Sequence, residues 1–156
     1  MYLPQHGTGV QKTDKFTFRS SLGTSVVYNW KITNGSSSFY EIQDCMKEFR
    51  EVRPYFYEDY YPLTGSGDIT GDNIWMAYQL YRPSDKSGFV VAFRREAFPD
   101  KTHTVKLSDL DPDAVYSVTN KDTGETVSKS GRELAEGFVL TLDQPRSSLL
   151  LKYQAE

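Results

Sequence analysis

"NIWMAYQLYRP", residues 73–83, has the composition of a β-strand, rich in aromatic and aliphatic residues and ended by a proline. A strand sends successive side chains to opposite faces, so Trp75, Ala77, Gln79 and Tyr81 share one face and Ile74, Met76, Tyr78 and Leu80 the other. Both faces are largely apolar, which predicts a strand covered on both sides. Six more runs of the same kind follow: "GFVVAFRRE" (88–96), "HTVKLSDL" (103–110), "AVYSVTNK" (114–121), "ETVSKSG" (125–131), "GFVLTLD" (137–143) and "SSLLLKYQ" (147–154). Each is short, rich in β-branched or aromatic residues, and bounded by Pro, Gly, Asp or Ser. Short strands at even spacing predict an antiparallel β-sandwich over residues 65–156. The turns agree with that reading. Asp122-Thr123-Gly124 suits a tight hairpin with Gly124 at positive φ, Pro112 sets a turn in "DLDPDAVY", and "SGRELAEG" reads as a brief helical or bulged connector.

Toward the N-terminus the period changes. Phe39, Ile42, Met46 and Phe49 recur at helical spacing, and Ser38 with Glu41 matches a capping box, so a helix is expected over about 38–51. Before it, "SVVYNW" (25–30) reads as a strand buried on both faces. Pro54 disfavours helix at Arg53, which makes residues 53–64, "RPYFYEDYYPLT", a connector between the helix and the sandwich.

The totals narrow the function. Eighteen basic and 21 acidic residues give a net charge of -3, with no basic face for nucleic acid or anionic lipid. A neutral or weakly charged partner fits better. The single cysteine, Cys45, has no second thiol for a disulfide, a redox pair or structural zinc, and reads as a small buried hydrophobe. No apolar run reaches the roughly 18 to 20 residues that cross a bilayer, and "MYLPQHGTGV" has no signal core. Cellular location stays open.

Few groups have the spacing of a catalytic site. Glu58 and Asp59 are neighbours in an extended segment and point apart, so they do not converge on one bond as paired acids must. His6, in a Gly-flanked loop, is a loop stabiliser or a cleft-facing polar group, and His103 begins a strand. There is no G-x-S-x-G elbow, "GTGVQK" lacks phosphate-loop spacing, and "DITGDN" lacks the EF-hand register. The aromatic side chains remain. Tyr55, Tyr57, Tyr60, Tyr61, Trp75, Tyr78 and Tyr81 form either a carbohydrate platform or core and interface packing, and the two apolar faces around Trp75 favour packing.

In order along the chain, "MYLPQHGTG", "FTFRSSLGTSVVYNW", "MKEFREVRPYFYEDYYPLT", "WMAYQLYRPSDKSGFVVAFRRE", "LSDLDPDAVYSVTNKDTGETVSKSGREL" and "SSLLLKY" resemble the C-terminal end of α-galactosidase-like (melibiase, glycoside hydrolase family 36-related) enzymes. That resemblance implies a (β/α)8 barrel, carrying the catalytic aspartates, followed by a β-sandwich. Residues 1–52 would then be the last barrel elements, 53–64 the strap and 65–156 the sandwich. No residue of this chain inherits a catalytic role, and neither cofactor nor metal is implied. His6, Arg19 and Trp30 would lie at the rim of a sugar pocket. Lys31 stands where relatives often carry an acid, which puts a polar role there in doubt. Tyr55, Tyr57, Tyr60, Tyr61 and Trp75 would pack barrel and sandwich together. The partner expected on this reading is the catalytic barrel. Alternatively, residues 16–50, left with an apolar face, dock on the sandwich or pair with a second copy. An independent carbohydrate-binding module and a purely structural or interaction domain are the other readings.

Overall fold

A computed structural model describes residues 14–25, 39–65 and 71–156, with the backbone alone at 39–42. The chain divides into two compact units, with the division between Tyr57 and Glu58. The expected strand at 25–30, the Ser38–Glu41 capping box, His6, Trp30 and Lys31 lie outside the described residues, Ser25 excepted.

The described part of the first unit is helical. Helix α1 spans Lys15–Ser20, and the Asp14 carboxylate caps it by accepting from the Thr17 amide. Helix α2 spans Phe39–Val52 and runs into a 3₁₀ turn at Arg53–Tyr57. The chain thus changes its helical pitch at Arg53, just before Pro54, and stays helical for another turn, since Pro54 cannot donate to the α2 carbonyls and its ring disfavours continuing the α-helix. Phe18, Leu22, Cys45 and Phe49 are buried together, with Met46 and Phe56 against them.

The second unit is the antiparallel sandwich, with layers of unequal size. Its strands are β1 (Asp59–Pro62), β2 (Trp75–Arg82), β3 (Ser87–Arg94), β4 (Thr102–Val105), β5 (Val115–Asn120), β6 (Thr126–Ser130), β7 (Phe138–Thr141) and β8 (Ser147–Ala155). Six of them form one sheet in the order β1-β2-β3-β8-β5-β6, and β4 pairs with β7 in a two-stranded second layer. Between the layers, Trp75, Ala77, Val90, Ala92, Leu149 and Leu151 pack with Val105, Leu107, Leu140 and Leu142. Every residue of β3 is buried, and so is the opposite face of the large sheet at Leu80, Phe89, Val91, Phe93 and Leu150.

Residues 59–62, expected to be part of a connector, are an edge strand of the large sheet, in register with Tyr78–Tyr81. An edge position tolerates Pro62, which has no amide to donate. The hairpin between β5 and β6 is built as its sequence predicts. Gly124 has φ 80, and the Asn120 side-chain oxygen accepts from the amides of Asp122 and Thr123. The connector before β7 is a helix, α3 (Gly131–Glu136), closed by a reciprocal capping box of Ser130 and Glu133.

Candidate functional site

Among the described residues, polar and aromatic side chains gather at one end of the sandwich core, where β2, β3, β8 and β5 meet the loop at 106–111. In the pairing register Tyr81, Gly88, Tyr153 and Val118 follow one another across the sheet. Gly88 has no side chain, and the rings of Tyr81 and Tyr153 stack across it, 6.3 Å apart and 18° from parallel. A Cβ at Gly88 would run into the Leu80 carbonyl and the Tyr153 hydroxyl. Tyr116 meets Tyr153 edge-on at 6.2 Å.

Gln79 ties this cluster to the loop. Its amide nitrogen donates to the Tyr153 hydroxyl and to the Ser108 carbonyl, both at 2.9 Å, while its oxygen accepts from the Ser108 amide at 2.8 Å. The Tyr153 hydroxyl donates in turn to the Leu80 carbonyl at 2.9 Å, and the Tyr116 hydroxyl accepts from the Asp111 amide at 3.1 Å. Burial holds the Tyr153 phenol far above its ordinary pKa, and burial together with Tyr116 pushes Tyr81 up to about 12. At physiological pH these phenols are neutral, and the bonds above hold Tyr153 and Gln79 in place. The cluster holds the loop at Ser108 in position.

A second polar centre closes the core at its other end. Arg94 is 6% exposed and donates to the carbonyls of Phe98, Pro99, Leu142 and Asp143, which fastens the loop after β3 to the loop after β7. Arg82 and Ser87 hold Asp85 in the β2–β3 turn, and the Arg82 fork keeps that carboxyl at a pKa of about 2. A cavity of about 320 Å³ lies beside Lys129, Glu133, Glu136, Gly137 and Phe138. Glu133 is already engaged by Lys129 and Ser130. Among the described residues no three His, Cys, Asp or Glu side chains stand together as a metal-ligand set, and no helix is long and apolar enough to cross a membrane.

Of the residues the sequence singled out, Arg19 is on α1 with its side chain fully buried, and its Nε and Nη2 fork onto Glu48 at 2.8 Å. Burial, with the Glu48 charge adding to it, pushes the Cys45 thiol up to about 11. Glu58 and Asp59 are exposed.

The aromatic set separates into distinct groups. Trp75, expected to pack one unit on the other, belongs to the sandwich core, where it stacks on His103 of β4 at 5.6 Å and donates to the Asp100 carbonyl. Tyr81 is likewise buried, so neither ring offers a face to a sugar. Tyr55 is buried and Tyr61 packs against the sandwich core, whereas Tyr57 and Tyr60 are 65% and 57% exposed. Tyr57 is in the 3₁₀ turn and Tyr60 on the edge strand β1. Tyr60 rests on Tyr78 at 5.5 Å. Sequence reasoning passed over Arg94 and Gln79. Their signal was a polar group inside an apolar strand, which has to find hydrogen-bond partners once buried.

Against solved structures, the chain matches α-galactosidases over most of its length, three of which follow. One is a double variant of the family GH36 α-galactosidase AgaA from Geobacillus stearothermophilus in complex with stachyose (TM-score 0.72, 19% identity, 99% of this chain and 21% of that one). Another is the α-galactosidase from Lactobacillus brevis (TM-score 0.60, 16% identity, 83% of this chain and 18% of that one). The third is the galactosidase domain of the α-galactosidase-sucrose kinase AgaSK (TM-score 0.57, 21% identity, 74% of this chain and 16% of that one). The fold is that of an α-galactosidase-like C-terminal domain, and the chain spans about a fifth of those proteins. No protein-family model matches it, and no curated protein matches it significantly.

Proposed function

We propose that the chain is the non-catalytic C-terminal portion of an α-galactosidase-like glycoside hydrolase, in which the sandwich braces a catalytic barrel and residues 1–52 supply the barrel's last elements. The observation that carries this reading is the match over 99% of the chain at TM-score 0.72 to one part of a far longer family GH36 enzyme. The internal chemistry supports it. The buried polar side chains Gln79 and Arg94 bond to backbone within the sandwich, as a scaffold requires, and Glu58 and Asp59 follow one another in sequence instead of facing across a cleft. Arg19, forked onto Glu48, orders α1 against α2 on this reading, and any sugar contact belongs to His6 and Trp30 at the barrel rim.

The test is to read the DNA immediately upstream of Met1 and to express whatever in-frame protein it encodes, ending at Glu156 or at Tyr57, so that only the sandwich unit is removed. The reading predicts an upstream (β/α)8 barrel with α-galactosidase activity that melts at a lower temperature when this portion is removed. An upstream stretch that encodes no barrel, or a barrel indifferent to the deletion, contradicts it.

A further inference from the structure

The large sheet ends differently on its two sides. At one end β1 is protected by Pro62, which cannot donate to an incoming strand. At the other end is β6, an open strand with no such guard.

The register shows which backbone groups β6 turns outward. Asn120 donates to the Glu125 carbonyl and Gly131 to the Ala114 carbonyl, and β5 pairs with β6 continuously between those points. In an antiparallel ladder hydrogen-bonded and non-bonded pairs alternate, so Val127 and Lys129 aim their backbone at β5, and Thr126 and Ser128 aim theirs away. The Thr119 and Thr126 hydroxyls, 2.9 Å apart, fit a non-bonded pair, in which side chains come closer. Both flanks of this outward edge are closed, because the Gly124 amide donates to Asn120 and the Ser130 amide to Glu133.

The side chains on this edge are complementary to themselves. Glu125, Val127 and Lys129 share one face of the strand, and Val127 is 47% exposed although its partner Val118 is buried. Two copies of β6 laid antiparallel about a two-fold axis through Val127 would place Val127 against Val127. They would place Glu125 opposite the second copy's Lys129, and Thr126 opposite the second copy's Ser128. That last pairing brings together the two residues whose backbone faces outward, so hydrogen-bond register and charge register coincide.

We propose that β6 is a self-pairing edge, through which two copies of this chain join their large sheets across a two-fold axis at Val127. The contact is isologous, with the same strand on both sides. Glu125 and Lys129 set its register, at the expense of the surface pair that Lys129 makes with Glu133 within one copy.

Sedimentation velocity on the full chain, from about 10 µM to about 1 mM where so short a ladder self-associates, should show a reversible monomer–dimer equilibrium. E125K and K129E each put like charges across the axis and should weaken the dimer about tenfold. The double variant E125K/K129E restores opposite charges and should regain the dimer, a rescue that damage to the fold would not produce. In the wild-type chain the amides of Thr126 and Ser128 should become protected from hydrogen exchange as concentration rises. A chain that stays monomeric throughout, a dimer indifferent to both single reversals, or a double variant no better than the singles overturns the proposal.

Discussion

Replacing Arg94 by Met tests whether the sandwich is held closed from within. Met keeps the unbranched stem and removes the guanidinium, which donates to the carbonyls of Phe98, Pro99, Leu142 and Asp143. Pro99 and Asp143 are exposed, so their carbonyls regain water when the guanidinium is lost. Leu142 is 9% exposed and Phe98 half-buried, so theirs stay partly dry. Each buried acceptor left unsatisfied costs about 1–3 kcal/mol, so two of them predict a loss of about 3 kcal/mol. For a chain of this size that lowers the melting temperature by roughly 10 °C. Thermal and urea unfolding followed by far-UV circular dichroism would measure it. Arg94→Lys, with a charge but no planar fork, should fall between the two. If Arg94→Met melts within about 2 °C of the parent, the guanidinium is not what fastens the two loops and the reasoning fails.

Gly88→Ala brings a Cβ into the Leu80 carbonyl and the Tyr153 hydroxyl, so it should separate the Tyr81–Tyr153 stack and destabilise by at least about 3 kcal/mol; an unchanged urea midpoint would argue against that packing. Tyr61→Ser should cost about 1–3 kcal/mol, because that ring packs on the core, whereas Tyr57→Ser should stay within about 0.5 kcal/mol, because that ring is 65% exposed; parallel melts of the two variants decide it. The Asp85 carboxyl, held at a pKa of about 2 against an ordinary 3.8 mainly by the Arg82 fork, contributes stability that is present above about pH 4 and lost as pH falls through 2. Asp85 is 41% exposed, so solvent screens the effect and its contribution is small. Asp85→Asn should make the acid limb of stability against pH shallower, as urea midpoints at pH 4, 3 and 2 would show.

The sandwich was legible because its strands are short apolar runs cut by turn residues, and local chemistry such as Gly124 in the hairpin or Ser130 with Glu133 at α3 is written in a few adjacent positions. The six-and-two division of the strands was not legible, since β8 joins β3 to β5 through pairings far apart in sequence. Helix α1 escaped notice for a different reason: six residues show too little period, and its one clear signal is the Asp14 cap. Within the expected connector 53–64, Asp59–Pro62 pairs with β2, because at a sheet edge the missing Pro62 amide costs nothing. The rings of "RPYFYEDYYPLT" look like one block in sequence, whereas the turn and the strand give them different exposures, with Tyr55 buried, Tyr61 against the core and Tyr57 and Tyr60 exposed. Arg94 shows the limit of reading charge from sequence: an arginine ending an apolar strand looks like a solvated terminus until two distant loops bring their carbonyls to it.

Whether this chain is, as proposed, a brace without chemistry of its own is decided by assaying the purified 156-residue chain for hydrolysis of an aryl α-galactoside. The aryl group should be released at the rate of buffer alone. Turnover that scales with the concentration of the chain and is inhibited by galactose would contradict it.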